Sequence, residues 1–230
     1  MLLTPVVLLL AGCTSVQPAA TATCNCQRTV RVPDKAFRTW LIDNGLAVRA
    51  HGKYLRATAE GCATTELECY NQGIGSLDGI ELFPQLEQLT CSDNPVTNLD
   101  VNALPRLQRL YGINLPLERF DADSCHDLHV IQLSHTHLDT LDLTPFPHLE
   151  SLLCIYSPLR AIDLAPCPNL RTLYIRFTHI QEVDLTPCPD FWQLHALDTP
   201  LRTVTVTPGQ YTSETLKVSI EDSVNIVVKR

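Results

Sequence analysis

Apolar residues recur along this chain on two superimposed beats. In short stretches such as Leu89-Thr90-Cys91-Ser92 every second side chain is apolar, the alternation of a strand with one buried face. Over a longer range the whole arrangement returns at a fixed interval, marked by the evenly spaced Asp100, Asp121, Asp142, Asp163 and Asp184. The unit around Asp100 holds Pro84, Leu86, Leu89, Cys91, Asn94, Val96, Leu99, Val101 and Leu104. The same slots next hold Leu107, Leu110, Gly112, Leu115, Leu117, Phe120, Ala122 and Cys125, and later Leu149, Leu152, Cys154, Leu159, Ile162, Leu164 and Cys167. A final unit around Leu194 puts Thr205 in the Asp slot, and an upstream one around Leu67 is one residue longer. About seven units are visible. Such self-similarity predicts a solenoid, because each unit can bury its apolar face only against the next. Stacking equivalent strands in register makes a parallel sheet, and Pro84, Pro105, Pro147, Pro168 and Pro189 at the turns exclude a long helix there.

The motif L-x-x-L-x-[LC]-x-x-[NT]-x-[LVI], running from about Cys62 to Pro208, resembles the leucine-rich repeat family. It is most similar to the short internalin-like repeats of Bacteroides-type bacteria. The resemblance implies an α/β leucine-rich repeat solenoid, mainly β, with short parallel strands on the concave face. Only Asn94 keeps Asn in its slot; Thr136, Ser157, Thr178 and Thr199 offer hydroxyls that can bond a turn amide, whereas Leu115 cannot.

The flanks carry different signals. Residues 1–13, MLLTPVVLLLAGC, resemble a bacterial lipoprotein signal, which implies removal of residues 1–12 and lipidation of Cys13. Residues 13–30 then read as a flexible tether, and the chain as anchored rather than embedded. Residues 31–61 form the expected N-terminal cap: Pro33-Asp34 starts a helix, Phe37, Trp40 and Leu41 recur at helical spacing, and Gly45 stops it. Ala47, Arg49 and His51 stand where relatives carry acidic ligands, which argues against calcium. Repeats occupy 62–208, and alternating stretches within 209–230 are expected to form a C-terminal β cap.

Composition narrows the function. The 230-residue chain has a formal net charge of −8 and no basic run, which counts against nucleic acid and anionic membrane surfaces as partners. Of its 10 cysteines, all but Cys13 fall into two groups. Cys69, Cys91, Cys125, Cys154, Cys167 and Cys188 occupy slots otherwise held by Leu, Ile or Phe and are expected to be core fillers. Cys24, Cys26 and Cys62 lie outside the repeat interior, where a bridge from Cys24 or Cys26 to Cys62 would staple the cap.

No nucleophile elbow, paired-carboxylate pocket, phosphate loop or metal-protease helix is present, so no catalytic site, metal or cofactor is expected. The histidines His126, His129, His135 and His137 read as solvated turn residues. The Asp column reads as a solvated edge whose middle members repel one another and so titrate high. Outward concave slots hold Glu68, Thr90, Tyr111, Gln132, Leu153, Tyr174 and His195, then Tyr70, Ser92, Ile113, Ser134, Ile155, Arg176 and Leu197, with Tyr156, Phe177 and Trp192 at adjacent ends. Apolar and aromatic residues on an outward face mark an interaction site. The expected ligand-binding set is therefore Tyr70, Tyr111, Ile113, Leu153, Ile155, Tyr156, Tyr174, Arg176, Phe177, Trp192, His195 and Leu197. The expectation is a monomeric, lipid-anchored protein of the bacterial cell envelope, on the periplasmic or surface face of the outer membrane, binding an unknown protein or glycan; the alternative is a structural spacer.

Overall fold

The computed structural model describes residues 28–229, so Cys13, Cys24, Cys26 and the 1–12 segment lie outside the described residues. The chain begins with β1 (Thr29–Arg31), α1 (Lys35–Asp43), β2 (Ala47–His51), β3 (Tyr54–Ala57) and α2 (Ala59–Ala63). Strands β1, β3 and β2 form a small antiparallel sheet. Helix α1 starts where the sequence places it, with the Asp34 carboxylate accepting the Phe37 amide at 2.7 Å. Gly45 takes a left-handed φ of 71° beyond the helix end. Phe37 and Leu41 are buried against the core, while the other Asp34 oxygen accepts the Gly75 amide at 3.1 Å and ties the cap to the first turn.

The solenoid follows with β4 (Glu66–Glu68), β5 (Gln88–Thr90), β6 (Asn98–Asp100), β7 (Arg109–Tyr111), β8 (Arg119–Asp121), β9 (Val130–Gln132), β10 (Ser151–Leu153) and β11 (Thr172–Tyr174). It ends with β12 (Glu182–Asp184), β13 (Gln193–His195), β14 (Thr203–Val206), α3 (Pro208–Thr212), β15 (Lys217–Ser219) and β16 (Asn225–Val228). The concave wall is one parallel sheet of 8 strands in the order β4, β5, β7, β9, β10, β11, β13, β15. Successive residues pair in register, Leu89 with Leu110, Leu110 with Ile131, Leu152 with Leu173. Strands β15 and β16 extend the concave and convex walls by one more turn, each pairing parallel with its predecessor.

The convex wall is discontinuous. β6 pairs with β8, and β12, β14 and β16 form a second sheet, but no strand forms around Asp142 or Asp163. Each Asp in the column points outward. The carboxylates of Asp100, Asp142, Asp163 and Asp184 accept the amide two residues on, at 2.9, 2.8, 2.9 and 2.9 Å, closing a tight local turn. At Asp142 and Asp184 the expected upward shift from mutual repulsion is reversed. Hydrogen bonds from the Thr144 hydroxyl and amide hold Asp142 below the usual carboxylate value. For Asp184, slight burial pushes upward, but Thr186 and Lys229 outweigh it and the net shift is also down.

All six repeat cysteines are buried free thiols. Burial pushes Cys69 and Cys154 up to about 12, so they stay protonated. One column of them does more than fill space. Cys125 Sγ donates to the carbonyls of Val101 and Leu104 at 3.2 and 3.4 Å, and Cys167 Sγ reaches the carbonyl of Phe146 at 3.4 Å. The buried Gln210 side chain closes the column by donating to the carbonyls of Leu185 and Cys188. Cys62 is disulfide-bonded, and because the other described cysteines are free its partner lies outside the described residues.

Asn94 satisfies an entire turn: its Oδ1 accepts the amides of Gln72 and Ile74 at 3.0 Å, and its Nδ2 reaches the carbonyls of Cys69 and Cys91 at 2.8 and 2.9 Å. The hydroxyls in this slot act differently from the expectation. Thr136, Ser157, Thr178 and Thr199 donate to the carbonyl three residues back within their own turn, at 3.2, 2.9, 2.8 and 2.7 Å. Leu115 fills its slot with hydrocarbon, and Gly112 makes room for it: a Cβ at Gly112 would stand 3.0 Å from Leu115 Cδ1 and from Leu133 Cδ2.

Candidate functional site

In-register stacking places chemically equivalent side chains about 4.8 Å apart along the concave wall. The third residue of each concave strand forms one column, Glu68, Thr90, Tyr111, Gln132, Leu153, Tyr174, His195 and Ser219, of which Glu68 is exposed and the rest are half-buried. Within it the Tyr174 and His195 rings stack at 4.4 Å. The next outward column holds Tyr70, Ile113, Ile155, Arg176 and Leu197; Tyr70 is 56 % exposed and the others are half-buried. Ser92 and Ser134 do not join this surface. They are buried at 8 % and 5 % exposure, because their hydroxyls accept the amides of Ile113 and Ile155 from the following turn at 3.0 and 3.2 Å.

The rim where the strands leave the sheet is unusual. One residue per turn adopts the left-handed conformation: Asn71, Asp93, Asn114, His135, Tyr156, Phe177 and Asp198, with φ between 52° and 60°. The turn must reverse while these amides stay in the ladder; those of Asp93, His135 and Tyr156 donate to Ile113, Ile155 and Arg176 at 2.9, 2.7 and 3.0 Å. Asn and Asp tolerate this conformation, but for bulky side chains it costs about 1–2 kcal/mol. Three successive turns nevertheless carry rings there. His135 stacks on Tyr156 at 4.5 Å, and Tyr156 on Phe177 at 4.1 Å. Tyr156 remains 47 % exposed.

Arg176 ends this stack. Its guanidinium lies 5.1 Å from the Phe177 ring centre and bonds Asp198 at 2.7 Å, a placement in which a cation is drawn to the ring face. Its Nε is buried with no hydrogen-bond partner. Trp192 stands apart from Tyr156 and Phe177, at the opposite end of a strand and 38 % exposed, with the Lys217 ammonium 6.0 Å from its ring. The structure thus joins Tyr156, Phe177 and Arg176, pairs Tyr174 with His195, and separates Trp192 from both groups. His135 is the member that reading by sequence passes over. Its signal is the column itself: the same even step that leads from Asn114 to Asp198 passes through His135, Tyr156 and Phe177.

Other features are weaker. An open crevice of about 800 Å³ between α1 and the first turn is lined by Asp34, Thr39, Trp40, Asp43 and Gln72. His129 and His148 stack at 6.2 Å on the Trp192 side of the sheet. Among the described residues, no three His, Cys, Asp or Glu side chains are grouped to hold a metal ion, and no helix is long and apolar enough to cross a membrane.

No protein-family model matches the chain, and no curated protein matches it. Solved structures do match in fold. The functional domain of InlJ from Listeria monocytogenes, described as including a cysteine ladder, superposes with a TM-score of 0.66 at 20 % identity, covering 87 % of this chain and 48 % of that one. This chain therefore spans about half the length of that domain. Internalin C2 from the same organism superposes with a TM-score of 0.57 at 17 % identity, covering 82 % of this chain and 94 % of that one. The fold is that of the internalin leucine-rich repeat solenoids.

Proposed function

We propose that this chain is a binding scaffold that recognises another protein through its concave face. The observation that carries the reading is the in-register apolar and aromatic surface of Tyr111, Ile113, Leu153, Ile155, Tyr174 and Leu197, left partly open to solvent on a rigid sheet. The likeness in fold to internalin structures supports a binding role. Sugars stack on open ring faces, and here Tyr156 has both faces covered and Tyr174 one. That favours a protein over a glycan. Display from the bacterial envelope by a lipid on Cys13 completes the proposal, with the signal-like segment as its support.

The test is substitution of Tyr111, Leu153 and Tyr174 together by Ser, with partner recovery measured by crosslinking to the soluble chain. Recovery is expected to fall about tenfold or more. Thermal unfolding should shift by only a few degrees, because these side chains are half-exposed. A partner retained by the triple variant would place the site elsewhere, and recovery of no partner by the unaltered chain would point to an envelope spacer.

A further inference from the structure

The rim bearing the ring stack differs in charge from the rest of the chain. In the equivalent slots of three successive turns, residues 134–138, 155–159 and 176–180, there is no Asp or Glu, while Arg176 and the histidines His135, His137 and His179 occur, in a chain of formal net charge −8; in the next slot Arg160 follows Asp139. The nearest carboxylates along the rim are Asp139, just past the first of these turns, and Asp198, which Arg176 already holds at 2.7 Å. Two further observations point to a ligand. Three rings occupy backbone positions where the neighbouring turns use Asn or Asp, and strain of this kind collects at functional sites. The Nε of Arg176, beside the last ring, is buried without an acceptor.

We propose that the stack of His135, Tyr156 and Phe177, ended by Arg176, docks an acidic segment of the partner protein. Apolar side chains of that segment cover the outward ring edges, and a carboxylate accepts from the solvent-facing part of the Arg176 guanidinium. The inference rests on the protein-binding reading and gives it a chemistry: an aspartate- or glutamate-bearing peptide with aromatic or aliphatic neighbours.

The experiment pans the full-length chain against displayed random dodecapeptides and titrates the recovered sequences, fluorescein-labelled, by anisotropy. Enrichment in acidic residues beside aromatic or aliphatic ones is expected. Tyr156→Asn, which installs the residue type that Asn71 and Asn114 place in the same backbone state, should weaken binding about tenfold with thermal unfolding nearly unchanged. Arg176→Gln should weaken it about fivefold or more and flatten its salt dependence, as should amide replacement of the peptide's acids. Recovery of no peptide, or of neutral or basic ones, overturns the proposal, as do acidic peptides that bind Tyr156→Asn as tightly as the unaltered chain. Peptides that lose binding with Tyr111→Ser and Leu153→Ser but keep it with Tyr156→Asn would leave the concave reading standing and remove the ladder.

Discussion

At the scale of single residues, the left-handed position in each turn sets two local preferences against each other. An aromatic residue there costs about 1–2 kcal/mol in backbone energy, and a stacked ring pair returns about 0.5–1.5 kcal/mol. The two nearly cancel, so Tyr156 and Phe177 are tolerated rather than required by the fold. This is also why the position is hard to read: Asn71, Asp93 and Asn114 announce a left-handed residue, whereas His135, Tyr156 and Phe177 in the same column disguise it. Asn94 is the opposite case, legible from its slot and central to stability. It serves the buried amide of Ile74 and the carbonyls of Cys69 and Cys91. Asn94→Ala strands all three and should destabilise the protein by about 2–3 kcal/mol in chemical denaturation. A loss below about 1 kcal/mol would mean that water replaces the side chain.

At the scale of elements, the concave strands are fully legible, since alternation and the fixed repeat interval set both their facing and their register. The convex ones are not. Leu141-Asp142-Leu143 and Ile162-Asp163-Leu164 repeat the wording of the strand-forming Leu99-Asp100-Val101, yet they join no ladder; pairing between turns, and not local pattern, decides the outcome. The Asp column is visible in the sequence but its role is not, because spacing shows the like charges and hides the turn amides that the carboxylates accept. Asp142 carries a testable consequence. Its folded value is lowered by Thr144 from the ordinary 3.8. Its contribution to stability is therefore fully present above that ordinary value and is lost as pH falls through the folded one. An NMR titration of the side-chain carboxyl should find Asp142 below 3.8, and Thr144→Val should raise it. A value above 3.8 would show that repulsion along the column prevails.

At the scale of the molecule, one end is closed by a cap whose helix is legible from Asp34, Phe37 and Leu41. The antiparallel sheet beside it is not, since β1 and β3 are short, mixed in polarity and joined across a long intervening stretch. Asp34 couples cap to solenoid by serving both the Phe37 and Gly75 amides. Asp34→Ala should cost about 1 kcal/mol, mainly from the lost helix cap, because the exposed Gly75 amide can turn to water. Hydrogen exchange should then quicken across α1 and leave the amides of β7 to β11 protected. Equal quickening throughout would mean that cap and repeats open as one unit.

The interruption in the convex wall gives the molecule a direction of compliance. Hydrogen bonds run unbroken along the concave sheet, while behind Asp142 and Asp163 no strand ladder forms and the turns are joined only by scattered bonds such as those from the Arg160 amide to the Asp139 carbonyl and from Cys167 Sγ to the Phe146 carbonyl. The front therefore serves as a spine and the back as a crease, so any change in curvature concentrates at the rungs that carry His135 and Tyr156. Flexing there opens or tightens the arc while every concave strand keeps its partner.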